Sequence, residues 1–266
     1  MNKLKIYCVT NKKINFINKP EYFPAWVGKE KPPKNYLRCD EEDNIFYKEK
    51  FYSELTFHYW YWKNLLNKEV DDQWIGFCQK RRYWVKSNNI EINKTNINEN
   101  LLTDIDVEEN KIDSIICNPI SVSGVRKTKI IKRGWKNLIK DPKIFFSKAK
   151  QNIELHFDMH HGYGNLYKAI DLLDDKDKKD FLKYVRCNTK FNPNIMFIAK
   201  KKIAKNWFDS LFPWLEKCEK IFGFKDLEGY DTTRLYAYLA ERYLSFWFKK
   251  HSNFKEQKWI FLDYMD

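Results

Sequence analysis

Apolar residues along this chain gather in short runs, separated by basic and asparagine-rich stretches. The run Leu4 to Val9 (LKIYCV) reads as a strand that breaks at Thr10-Asn11-Lys12-Lys13. Tyr22 to Val27, ending at Gly28, reads as a second short extended piece. Trp74 to Cys78 is apolar, turns abruptly basic at Lys80, Arg81 and Arg82, and closes on Tyr83 and Trp84. A run of that length suits a buried strand of a parallel sheet. Ile112 to Cys117, ended by Asn118-Pro119, and Asn194 to Ile198 complete the strand candidates. Helical spacing appears over 47–66, where Tyr52, Leu55, Tyr59, Trp62 and Leu66 recur at intervals of three and four. Further helices are expected near 166–185, over 201–221 and over 231–250. Strands alternating with helices argue for an α/β fold with a parallel sheet. Residues 29–44 read as loop, 86–111 as an exposed Asn-rich and acidic excursion, and 121–135 as a basic, flexible loop.

Composition narrows the class. The chain has 266 residues, enough for one large α/β domain, and 17% of them are aromatic, so it is neither disordered nor fibrous. With 49 Lys and Arg against 36 Asp and Glu, the formal net charge is +13, which favours anionic partners. The six cysteines are scattered without a C-x-x-C pair, so neither a zinc site nor a disulfide framework is indicated. Residues 1–7 lack the apolar core of a signal peptide, and no apolar run of about 18 residues occurs. The expectation is a cytoplasmic protein, with peripheral contact at the inner face of the membrane.

Glycine cradles for phosphate and the G-x-S-x-G elbow of hydrolases are both missing. Nucleotide binding would therefore use side chains and helix ends. Arg81 and Arg82, delivered at the end of a strand, suit a multiply charged anion, since guanidinium pairs phosphate oxygens two at a time; solvated edge arginines are the alternative. Asp158-x-His160-His161 is the best acid/base or metal-type constellation. On extended backbone Asp158 and His160 point the same way and could hold a divalent ion or move a proton, the alternative being a hydrogen-bonded helix cap. On the last helix Arg234, Tyr238, Glu241 and Ser245 are spaced to share one face, and Asp231 at its start is a cap or a catalytic carboxylate.

The order of motifs resembles a bacterial family of capsular and exopolysaccharide biosynthesis proteins, domain-of-unknown-function family 4422, regarded as glycosyltransferases. The resemblance rests on Lys5 to Lys12 (KIYCVTNK), Tyr22 to Gly28 (YFPAWVG), Asp43-Asn44-Ile45, and Tyr52 to Asn64 (YSELTFHYWYWKN). It continues through Trp74 to Trp84 (WIGFCQKRRYW), the Asn194 to Ile198 strand and the Arg234 to Arg242 helix. It spans essentially the whole chain. Two departures stand out: Gln79 and Asn11 occupy places where relatives carry histidine, so neither imidazole can be essential chemistry here. A clean D-x-D is also missing after the Trp74 strand.

The resemblance implies one GT-A-like domain over 1–266, a Rossmann-like, mostly parallel sheet flanked by helices. Residues of about 1–120 would bind the nucleotide sugar and those of about 121–266 would shape the acceptor side. The implied activity is transfer of a sugar from a nucleotide-sugar donor, a UDP-sugar of galactose, galactofuranose or N-acetylated type, onto a capsular or other surface polysaccharide. The acceptor would be an oligosaccharide or a lipid-linked glycan. On the donor side the implied residues are Thr10, Asn11, Lys12, Asp43, Asn44, Tyr52, Arg81 and Arg82; the candidate catalytic carboxylates are Asp158, Asp231 and Glu241. His160, His161, Asn194 and Arg234 fall on the sugar side, and Asp158 with His160 would hold Mn²⁺ or Mg²⁺ if a metal is used, metal independence being the other reading. Nucleic acid is not an expected partner. A basic nucleic-acid-binding module and a non-catalytic assembly partner in glycan synthesis remain as alternatives.

Overall fold

The computed structural model describes residues 4–86, 90–105 and 111–263. In chain order the first elements are β1 (Leu4–Thr10), β2 (Tyr22–Trp26), β3 (Leu37–Arg38), α1 (Glu49–Tyr52), α2 (Leu55–Asn64), β4 (Trp74–Gln79), β5 (Arg82–Trp84), α3 (Ile97–Asn100) and β6 (Ser114–Cys117). They are followed by β7 (Ile120–Ser121), α4 (Lys127–Arg133), α5 (Trp135–Lys140), α6 (Ile153–His161), α7 (Asn165–Ile170), α8 (Asp175–Cys187) and β8 (Lys190–Phe191). The last are β9 (Phe197–Lys200), α9 (Lys201–Phe222), α10 (Tyr230–Thr233), α11 (Leu235–His251), β10 (Phe254–Gln257) and β11 (Trp259–Phe261). Two compact units result. One comprises Met1–Asn118, Asn194–Ser210 and Trp247–Asp266; the other comprises Pro119–Pro193 and Leu211–Phe246.

The first unit is built on a sheet of nine strands among the described residues. Its path is β10-β6-β9-β4-β1-β2-β3, with β5 joining β4 and β11 joining β5. Strands β4, β1, β2 and β3 run parallel, as the strand–helix alternation predicts. The sheet is mostly parallel, as expected, with antiparallel pairing of β9 to β4 and β6, of β5 to β4, and of β11 to β5. Side chains of successive strand residues point to opposite faces. On one face Ile6, Cys8, Cys78 and Ile198 join a core with Tyr83, Trp84, Ile115 and Cys117. The other face is aromatic: the Phe77 ring lies 5.4 Å from Tyr61, 5.1 Å from Phe197 and 4.2 Å from the imidazole of His58. Gly76 is where β4 must be bare, because a Cβ there would meet Ile6 Cγ1 at 2.9 Å and Ile198 Cγ1 at 3.0 Å.

Three further expectations change. The helix predicted over 47–66 is broken at Ser53, whose φ of 52° and ψ of −127° end α1 before α2 begins. The Asn-rich excursion is not wholly exposed: Ile97, Leu101 and Ile105 return to the core, while 87–89 and 106–110 lie outside the described residues. The basic 121–135 segment holds α4, whose buried Ile130 packs with Ile144, Leu155 and Met159 in the second unit.

The second unit is helical, apart from the β7–β8 pair. Helix α6 starts at Asn152, whose side chain accepts the Leu155 N–H at 2.9 Å, an N-cap. It ends at Gly162, where φ is 99° and a Cβ would sit 2.3 Å from the Asn165 amide nitrogen, so only glycine fits. The helix predicted over 166–185 is two, α7 and α8. Among the described residues, no helix is long and apolar enough to cross a membrane.

Candidate active site

The carboxyl ends of β1, β2, β3 and β4 lie along one edge of the sheet in the first unit, since all four strands are parallel. From β1 the chain moves outward to β2 and β3, then returns through α1 and α2 to β4 on the opposite side of β1. That reversal makes the gap between the ends of β1 and β4 a topological switch point, where open α/β sheets bind ligands. Thr10, Asn11 and Lys12 leave β1 there. The Thr10 hydroxyl accepts the Lys12 N–H at 3.0 Å and donates to the Lys12 carbonyl at 2.6 Å, folding the chain into a tight turn. From β4, the Lys80 N–H donates to the Val9 carbonyl at 3.1 Å, and its ammonium reaches Asn11 Oδ1 at 2.5 Å.

Arg81 and Arg82 occupy the turn into β5. Arg81 stands 3.7 Å from the Asp263 carboxylate and 5.2 Å from the centre of the Phe261 ring. Its Nε is buried without a hydrogen bond among the described residues. Arg82 donates to Gln79 Oε1 at 3.1 Å and lies over the same ring. Gln79 thus orients one of the two arginines. Asp43 accepts from the Tyr59 hydroxyl at 3.2 Å, and Asn44 folds on itself, bonding the Glu42 carbonyl and the Phe46 N–H. Tyr52 is buried beneath the Lys48 ammonium. Asn194 is buried with φ of 68°, a left-handed conformation that asparagine tolerates.

In the second unit the Asp158–His160 reading is corrected. Both residues lie inside α6, not on extended backbone. At about 100° per residue, positions two apart diverge by about 200° and cannot share a ligand. Asp158 lines one cavity and His160 another. Among the described residues no cluster of three or more His, Cys, Asp or Glu side chains is arranged to hold a metal ion.

The cavity at Asp158 holds about 440 Å³ and is also lined by Asn137, Asn152, Glu154, Tyr163, Tyr167 and Arg186. Aromatic faces beside planar hydrogen-bonding groups suit a ligand with apolar faces and a polar rim. Asp158 accepts from Asn137 Nδ2 at 2.7 Å and from the Gly164 N–H at 2.9 Å. Burial lifts its carboxyl above the ordinary 3.8, against the lowering effect of those two hydrogen bonds. No cation is paired with it among the described residues. The other two carboxylates are held by arginines: Asp231 by Arg133 at 2.9 Å, Glu241 by Arg242.

Arg242 is the centre of a network that spacing alone does not expose. Its side chain is 2% exposed. It stacks on Phe191 at 4.2 Å and donates to His156 Nδ1 at 3.3 Å and His161 Nε2 at 3.5 Å. His161 donates its Nδ1 proton to the Asp231 carbonyl at 2.8 Å and stacks on Tyr238 at 3.8 Å. Burial and the neighbouring Arg242 depress His156 to about 2 and His161 to about 3. His160 is brought to about 4 by burial, Lys129 and Arg133. Arg234 stands exposed at the break between α10 and α11, so the predicted stripe on one helix face begins only at Tyr238. Its last member, Ser245, donates to Asn192 Oδ1 at 2.7 Å and is tied to the Tyr184 hydroxyl.

The fold has a counterpart among solved structures. The apo structure of the bifunctional glycosyltransferase WbbM matches it with a TM-score of 0.71 at 20% identity, over 98% of this chain and 46% of that one. The chain therefore spans under half the length of that structure. The shared architecture agrees with the expected α/β glycosyltransferase-type fold with a mostly parallel sheet. No curated protein matches the chain. The family described as "Domain of unknown function (DUF4422)" matches residues 5–252, and the chain belongs to that family.

Proposed function

We propose that this protein is a glycosyltransferase that takes a sugar from a nucleotide-sugar donor, of UDP type, and adds it to a glycan acceptor of a surface polysaccharide. The observation that supports the reading is the basic switch point of the first unit, where Thr10, Asn11 and Lys12 follow β1, Lys80 and Arg81 follow β4, and Lys80 bonds Asn11. The leaving nucleoside diphosphate gains charge as the glycosidic bond breaks. Fixed cations aimed at that charge stabilise the transition state. Lys12, Lys80 and the two arginines supply them in this proposal, with Gln79 orienting Arg82. Asp43, Asn44 and Tyr52, which lie between β3 and α2 in the first unit, are assigned to the nucleoside end.

The second unit is assigned to the acceptor. Asp158 is the proposed general base: no cation is paired with it among the described residues, its carboxyl is raised, and it lines a cavity with two tyrosines. A base with a raised pKa accepts a hydroxyl proton more readily. Asp231 and Glu241, engaged by arginines, are assigned to positioning, as are His161 and Arg234. Asp158 and His160 do not fit a shared metal, so no step is routed through one.

The test is release of nucleoside diphosphate from a panel of UDP-sugars, including galactose, galactofuranose and N-acetylated donors, with and without Mn²⁺. Release that depends on a saccharide acceptor supports the proposal. No turnover and no binding of any donor in the panel would overturn it.

A further inference from the structure

The second unit has another cavity of about 450 Å³, lined among others by Ser121, Ser123, Arg126, Lys129, His156 and His160. Its charge is one-sided: none of the lining residues is an aspartate or glutamate. Neither Arg126 nor Lys129 is paired with a carboxylate among the described residues. The cavity at Asp158 is different, mixing Asp141, Glu154 and Asp158 with its cations.

The two imidazoles are set as donors by the arginines behind them. Arginine can only donate. Arg242 donates to Nδ1 of His156 at 3.3 Å, and Arg133 to Nδ1 of His160 at 3.2 Å. Each neutral ring must then carry its proton on Nε2. Neither Nε2 hydrogen bonds to another described residue. Two N–H donors, a guanidinium and an ammonium therefore line one concave space, with serine hydroxyls beside them. His161 shows the contrast: both of its nitrogens are used, by Asp231 and Arg242.

We propose that this cavity is a binding site for a phosphate or diphosphate ester, separate from the donor nucleotide. Tetrahedral oxyanions accept several charge-assisted hydrogen bonds at once, which is what this donor set offers. The site stands on its own residues. Naming its ligand as the phosphate that links an acceptor glycan to its carrier rests on the glycosyltransferase reading.

Calorimetric titration of pyrophosphate tests it, on the full chain and on two double variants. Arg126 and Lys129 are exposed, so Arg126→Ser with Lys129→Ser leaves the fold intact, which circular dichroism checks. This variant should lose at least tenfold in pyrophosphate affinity at one site and keep its UDP affinity. A second variant, Lys80→Ala with Arg81→Ala, should keep the pyrophosphate site while losing UDP. Pyrophosphate should also move the ring-nitrogen resonances of His156 and His160 and leave that of the enclosed His58 unmoved. Farnesyl diphosphate binding more tightly than pyrophosphate assigns a lipid-linked ligand; equal affinity assigns a water-soluble one. If UDP fails to bind but the Arg126- and Lys129-dependent site persists, the anion site stands and the transferase reading falls. Unchanged pyrophosphate affinity in Arg126→Ser with Lys129→Ser, or unmoved His156 and His160 resonances, would overturn the proposal.

Discussion

Replacing Asp158 by asparagine separates catalysis from folding because of how the side chain is held. Asp158 accepts two hydrogen bonds, from Asn137 Nδ2 and the Gly164 N–H. In Asp158→Asn the carbonyl oxygen keeps the Gly164 bond, and the new NH₂ meets the Asn137 NH₂. Asn137 Oδ1 is buried and has no hydrogen-bond partner among the described residues, so a flip of the Asn137 amide restores a bond. The loss is then at most about one neutral hydrogen bond, roughly 1 kcal/mol. Removing a carboxylate that burial disfavours offsets part of it. The melting temperature should therefore move by only about 2–4 °C. Turnover should fall far more. A general base contributes about 10²–10⁴-fold, or roughly 3–5 kcal/mol of activation free energy. Nucleoside diphosphate release under saturating donor is the assay, with UDP affinity measured in parallel. The sign of the pH effect follows from the raised carboxyl: Asp158 favours the fold below 3.8, and that contribution is lost as pH rises through its higher folded value. Asp158→Asn should abolish that component. Turnover within threefold of the parent enzyme would refute the assignment of Asp158 as base.

Other expectations concern the scaffold. Gly76→Ala forces a methyl to within 3.0 Å of both Ile6 and Ile198, two fully buried strand residues; urea denaturation should show a loss of about 1–3 kcal/mol, and an unchanged midpoint would contradict the packing. Ser53→Gly relieves a buried backbone at φ of 52° and ψ of −127°, so a gain of about 1 kcal/mol is expected; a loss would mean that the Ser53 side chain contributes more than the strain costs. His58, held to about 3 by burial, stays neutral in the fold and protonates near 6.5 when unfolded. Its contribution is full above pH 6.5 and falls with acidification, with a slope approaching about 1.4 kcal/mol per pH unit. His156, His160 and His161, also depressed, act in the same direction. Urea melts at pH 7.5, 6.0 and 5.0 should show declining stability; stability that is flat or rising toward pH 5.0 would be inconsistent with neutral buried rings.

The strands of the donor edge were legible because Leu4–Val9, apolar but for Lys5, and Trp74–Cys78 are short apolar runs, and the basic residues that follow them are the ones found at the strand ends. What resisted reading has physical causes. In α6, Ile153, Leu155, Phe157, Met159 and His161 are buried while the residues between them are less so. That alternation copies the period of a strand, on which Asp158 and His160 would share one side. The usable signal was Asn152, a helix N-cap three residues before Leu155. The antiparallel run of β9 cannot be inferred from its own four residues, because direction is set by its neighbours. Arg242 was visible as the end of a family-like motif, but its burial depends on Phe191, His156 and His161, which are distant in sequence. Ser53 interrupts a regular aromatic stripe, and nothing in its residue type announces a positive φ.

The central claim is that the ends of β1 and β4 hold a nucleoside diphosphate. Calorimetric titration of UDP into the full chain and into Arg81→Ala, with and without Mn²⁺, tests it most directly. Removing one charge-assisted contact should cost about 1.5–3 kcal/mol, or roughly a 10- to 150-fold loss of affinity. The parent chain should bind UDP saturably, and the variant should bind it more weakly by that factor. UDP affinity unchanged by Arg81→Ala, or no binding by the parent chain to any nucleoside diphosphate, would contradict it.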